Sequence, residues 1–215
     1  MPLYEGIALI QEKQAVVLDV GTEYTKFGLS GEAAPRCIVR SEYFCQSTRR
    51  MRRVMEYTDD EQLYHNLVKL LHQLFFRHAL VNPKERRVVA VQSCLVAHNE
   101  RRALARALYA HYEVASVLWL DSAVSAAAVL ALPAVLSVCL GASAVTVCAV
   151  LHGVLLPHTV QTTATASQAM QRNLLTLLQH DHPQLQLPDN VLHDIMGEHR
   201  KTNFRSKGLN LLILS

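Results

Sequence analysis

Between Asp121 and Arg172 the sequence contains no Asp, Glu, Lys or Arg, and this uncharged stretch constrains the fold more than any other feature. It is long enough to satisfy a hydropathy criterion for a membrane span, which keeps a membrane protein as one reading. Yet Pro133, Gly141 and Gly153 interrupt it, small Ala and Ser residues dilute it, and β-branched residues gather in short blocks such as Val145-Thr146-Val147. Buried strands also read as continuous apolar runs, so the stretch is expected to be protein core with no direct membrane insertion.

The remaining totals exclude other classes. With 215 residues the chain can bury a core without metals or disulfides. Its 21 basic and 18 acidic residues are too evenly matched to indicate a nucleic-acid partner. Five cysteines, Cys37, Cys45, Cys94, Cys139 and Cys148, form no CxxC pair and leave an odd one over, which suits a reducing compartment. The start of the chain lacks the basic-then-apolar order of a secretory signal.

Short apolar runs separated by glycine turns predict strands at 15–20, 25–30 and 36–40. The Arg-rich stretch 41–57 has no clear period and is expected to be an exposed loop. Thr58-Asp59-Asp60-Glu61 matches a capping box, with Thr58 as the cap. The helix that follows places Leu63, Leu67, Leu70, Leu71, Leu74 and Phe75 on one face and is expected to run to Asn82-Pro83. Beyond it the pattern predicts a strand at 87–92, a helix at 99–110, a strand at 115–120, a helix at 121–131 and strands at 134–140 and 144–151. Thr165 to Gln168 could cap a helix through Met170, Leu174 and Leu178, and Pro188 suits the first turn of another through Leu192, Ile195 and Met196.

A β-hairpin, a third strand, then strands alternating with helices is the plan of the ribonuclease-H-like unit. What narrows the field is Asp19-x-Gly21-Thr22-x-x-x-Lys26, followed by Gly28, Gly31 and Ala34-Pro35-Arg36, which resembles the first phosphate loop of the actins. Gly153-Val154-Leu155-Leu156-Pro157-His158 resembles the segment after the family's second phosphate loop, and counting back places Gly141 on that loop's first glycine. The resemblance implies an α/β fold, an actin-like mixed sheet flanked by helices, forming the first half of the two-lobed actin fold. It implies a first lobe over 1–160, with a shortened insert near 41–57, and the helical start of a second lobe over 161–198. The tail at 199–215 is expected to lie outside the family and to be loosely ordered. No second half follows within the chain, which suggests a truncated or alternatively terminated form, or a foreign sequence after 198.

In actins the first loop cradles nucleotide phosphates with backbone N–H groups, as glycines permit. By resemblance Asp19 would stand near the metal's water shell and Lys26 near a phosphate, with Gly21, Thr22 and Gly141 lining the degenerate nucleotide site. Three departures follow from the same alignment: Cys139 and Ala142 replace the second loop's aspartates, and Ser122 replaces the glutamine near the attacking water. Glu23 puts a negative charge where phosphates would lie. No catalytic residue and no metal ligand is therefore expected, and no cofactor, ATP being the alternative.

The start, Met1-Pro2-Leu3-Tyr4-Glu5-Gly6, is similar to that of an actin-related protein at the pointed end of dynactin. That likeness implies a non-catalytic structural subunit of the cytoplasm and cytoskeleton, partnered with dynactin subunits and, indirectly, with dynein. The competing reading is a nucleotide-dependent enzyme or switch of the same superfamily. Histidines 65, 72 and 78 do not share a face at metal-binding spacing, and no Gly-x-Ser-x-Gly elbow is present.

Overall fold

A computed structural model describes residues 14–84, 86–184, 187, 191 and 211–214. The chain divides into two compact units, residues 1–121 and 122–215, a boundary that falls inside the stretch read from sequence as one lobe.

In the first unit, β1 (Val16–Val20), β2 (Tyr24–Leu29) and β3 (Cys37–Arg40) form an antiparallel meander. The expected loop at 41–57 is instead mostly a hairpin of β4 (Glu42–Cys45) and β5 (Arg50–Arg53). Its strands are short, and the arginines of β5 hide the period-two pattern, which survives only in the buried Tyr43 and Cys45 of β4. Helix α1 (Asp60–Gln73) follows, then β6 (Arg87–Gln92), α2 (His98–Arg106) and β7 (Ser116–Asp121). The sheet order is β3-β2-β1-β6-β7, with β6 parallel to both β1 and β7.

The cap of α1 differs from the expectation. Asp59, not Thr58, accepts from the Gln62 N–H at 2.7 Å, while the Thr58 hydroxyl turns to Gln62 Oε1. Glu61 is held by Arg106 at 2.5 Å rather than reaching back to the cap. The apolar face behaves as its spacing predicts: Leu63, Leu67, Leu70, Leu71, Leu74 and Phe75 are all buried. Each such side chain contributes roughly 1.5–3 kcal/mol on leaving water. Phe75 meets Phe27 edge to face at 5.4 Å, which locks the helix to β2.

Neither α1 nor α2 runs on as far in α form as its apolar pattern suggests. Each opens into a wide turn, Leu74–His78 and Ala107–His111, closed by i to i+5 bonds from Ala79 to Leu74 and from Tyr112 to Ala107. A left-handed residue then reverses the chain, Leu80 at φ 52° and Glu113 at φ 50°.

The second unit begins with α3 (Ser122–Leu130), then β8 (Ala134–Leu140), β9 (Val145–Leu151), β10 (Val154–Leu155), β11 (Gln161–Thr163) and α4 (Ser167–Asp181). The expected side-chain cap at 165–168 is not formed: Ala166 occupies the cap position. The expected helix after Pro188 lies outside the described residues. Of the tail, residues 211–214 are not loose but form β12 (Leu211–Leu214), parallel to β8. The sheet order is β10-β9-β8-β12, with β11 also on β9.

The uncharged stretch thus builds α3 and a small sheet around Ala123, Ala127, Val135, Cys148 and Val150. Among the described residues no helix is long and apolar enough to cross a membrane.

Candidate functional site

Four of the five residues singled out from sequence, Asp19, Gly21, Thr22 and Lys26, come together on the β1–β2 hairpin. The fifth, Gly141, lies on the β8–β9 hairpin of the second unit. The two hairpins follow one plan. Asp19 pairs across the strands with Lys26, and Cys139 occupies the equivalent register opposite Thr146. In each, a glycine N–H donates to the carbonyl three residues on, Gly21 to Tyr24 at 3.1 Å and Gly141 to Ala144 at 3.0 Å. A Cβ would come within 2.7 Å of that oxygen at Gly21 and within 2.6 Å at Gly141, so the turn requires glycine at both positions. In each, too, a serine hydroxyl donates to the glycine carbonyl: Ser41 to Gly21 at 2.6 Å and Ser167 to Gly141 at 3.3 Å.

The plan extends to the neighbouring strand, since β6 runs parallel to β1 as β12 runs parallel to β8. Each unit therefore presents a glycine turn at the end of a hairpin whose first strand is also flanked by a parallel one.

The chemistry of the two hairpins differs. In the first, Lys26 Nζ lies 3.7 Å from Asp19 Oδ2, with side chains 44% and 39% exposed. Loss of hydration raises the Asp19 carboxyl above the ordinary aspartate range, and the Lys26 ammonium pulls it partway back. The second hairpin places a cysteine and a threonine at that register. Cys139 Sγ stands 3.7 Å from the buried Ser137 hydroxyl, and Thr146 is buried. Its loop carbonyls receive the start of α4, Ser167 N–H reaching Gly141 and Gln168 N–H reaching Ala142.

Two residues that sequence reasoning did not single out hold the first turn in place. Ser41 is buried and gives its one hydroxyl proton to Gly21, so Thr25 must donate to Ser41 Oγ across 2.8 Å. The Ser41 N–H also donates to the Glu23 carbonyl at 2.8 Å. Arg53 of β5 lies 3.6 Å from Glu23 Oε1, so the charge that would oppose a phosphate is met by a cation from the shortened insert. Nothing local in the sequence marks Ser41. Thr146 was not singled out either, although its spacing offers a signal, since it stands as far beyond Gly141 as Lys26 does beyond Gly21.

Downstream, Glu32 accepts from the Leu29 N–H and pairs with Arg36 at 2.6 Å, which folds the Gly31 turn back on Gly28. The motif from Gly28 to Arg36 is thus a packing device. Ser122 opens α3 immediately after β7. Among the described residues no group of three or more His, Cys, Asp or Glu side chains could hold a metal ion.

A scan against protein-family models matches residues 62–207 to the family described as Actin, more than half of the chain. The chain belongs to the actin family. Its mixed sheets flanked by helices are those of half the actin-like fold. The actin match takes in the β8–β9 hairpin with Gly141, whereas the β1–β2 hairpin lies ahead of the matched residues.

For the nucleotide that the family fold implies, the two hairpins give different answers. Lys26 and Asp19 offer the cation and carboxylate that a metal-bound phosphate needs, while the Gly21 N–H is engaged by Tyr24 within its own turn. The β8–β9 hairpin offers no carboxylate at the matching register, where the Cys139 thiol is a soft ligand that does not suit a hard metal ion. The first hairpin therefore carries side chains that suit such a group, and the second does not.

Proposed function

We propose that this actin-family chain is a non-catalytic structural subunit at the pointed end of dynactin's short actin-like filament, supporting dynein-driven transport along microtubules. The observation that carries the non-catalytic part is the register of the second hairpin, where Cys139 and Thr146 pair at the position that Asp19 and Lys26 hold in the first. Hydrolysis of a nucleoside triphosphate needs charge on both sides of the phosphates and a positioned water. Cys139, Ala142 and Ser122 together remove these.

The dynactin assignment is supported by the resemblance of Met1 to Gly6 and by the brevity of the insert, which reduces to the β4–β5 hairpin. A filament's last subunit has no need of a subdomain that receives a successor. A tagged chain recovered from cytosol, with bound proteins identified by mass, tests this reading. Dynactin subunits are the expected companions; chaperones alone would contradict it.

The intact Asp19–Lys26 pair favours a second reading, a nucleotide-binding switch. Thermal denaturation with and without Mg-ATP separates the two, because a ligand that binds only the folded state raises its apparent stability. A saturable upward shift supports the switch, and no shift at millimolar ATP removes it.

A further inference from the structure

We propose that the outer edge of β5 is a docking edge for an extended protein segment in which acidic and apolar residues alternate. The hairpin β4–β5 is a two-stranded sheet of its own, so among the described residues β5 has no strand partner on its second side. Such an edge presents backbone donors and acceptors in a row, and an added strand pairs with them.

The side chains along this edge are sorted by face. Cross-strand partners share a face, so Arg50 and Arg52 lie with Cys45 and Tyr43, whereas Met51 lies with Phe44 on the other side. Tyr43 and Cys45 are buried in the core, yet Arg50 and Arg52 are exposed beyond them. On the opposite face Phe44 and Met51 are 51% and 54% exposed, an apolar pair open to solvent.

Charge selects the partner. Arg36, Arg40, Arg53, Arg102 and Arg106 each meet a carboxylate. Arg49, Arg50 and Arg52 form no ion pair among the described residues, and no acidic residue lies between Phe44 and Arg53. A strand laid beside β5 sends alternate side chains to alternate faces. Acidic residues on one side of it would meet Arg50 and Arg52, and the residue between them would cover Met51. A planar lipid surface meets only one face of a hairpin at a time, so the split of charge and apolar area between the faces favours a strand. The inference uses only the hairpin's own charge and register, and stands apart from the assignment to dynactin.

The test uses the full chain and short fluorescent peptides. One peptide alternates Glu and Val; a second carries the same residues in two blocks; vesicles of phosphatidylserine and phosphatidylcholine are the third probe. The alternating peptide is expected to bind, with affinity falling as salt rises and amide exchange slowing at residues 50–53. Arg50→Glu combined with Arg52→Glu should weaken it by about tenfold or more. Both positions are exposed, and an unchanged circular dichroism spectrum confirms that the variant folds. Equal binding of both peptides, an unaffected double variant, binding to vesicles alone, or no binding to any probe would each overturn the proposal. In the last case the arginines serve only to keep the edge from pairing.

Discussion

Asp19 carries a desolvation cost that Lys26 offsets only in part, and this gives the first hairpin a pH signature. The raised value means that the folded chain binds the Asp19 proton more tightly than the unfolded chain does, from the ordinary 3.8 up to the folded value. The contribution of this group to stability therefore falls as pH rises through that window and returns on acidification. Solvent screening at a side chain 39% exposed keeps the effect modest. Asp19→Asn removes it, so the variant should gain stability relative to wild type between acid pH and neutrality. Urea titrations across that range check this, and a difference that stays flat with pH contradicts it. Ser41→Ala should act in the opposite sense at every pH, because it strips a buried hydroxyl from both Gly21 and Thr25 and costs about 1–3 kcal/mol in chemical denaturation. Sequence gave access to Asp19, Gly21 and Lys26 because they lie within one short motif. It gave none to Ser41, whose role arises only when β3 brings it beside the turn.

The strands that could be read in advance were those whose own residues carry the signal. Gly21 separates β1 from β2, the turn at Gly31 precedes β3, and Pro133, Gly141 and Gly153 bound β8 and β9. The β4–β5 hairpin was missed because four arginines between 49 and 53 read as a solvated loop, although Tyr43 and Cys45 tie it to the core. Helix ends were misplaced for a different reason. Apolar spacing continues through Phe75, but a wide turn and a left-handed residue end the helix geometry before Asn82-Pro83, a closure that side-chain periodicity does not encode. Leu80 pays no packing role for its strained conformation, being 81% exposed at φ 52°. Replacing it with glycine should therefore raise stability by about 1 kcal/mol, since a left-handed backbone costs an L-residue roughly that much. Thermal and urea unfolding of Leu80→Gly check the sign, and a loss of stability would show that Leu80 holds the turn by contacts.

Across the molecule, each unit sets a glycine turn, a serine brace and a flanking parallel strand at the same register, and only one of the two keeps charge. That arrangement repeats one backbone plan in both units and leaves the carboxylate–ammonium pair only in the first. The second unit also leaves apolar side chains in the open, Val129 at 86% and Val154 at 62% among them. The measurement that bears most directly on this account is phosphate release from Mg-ATP by the purified chain, beside its Asp19→Asn variant. The account predicts no release above buffer from either. Release that depends on protein concentration and disappears in Asp19→Asn would contradict it.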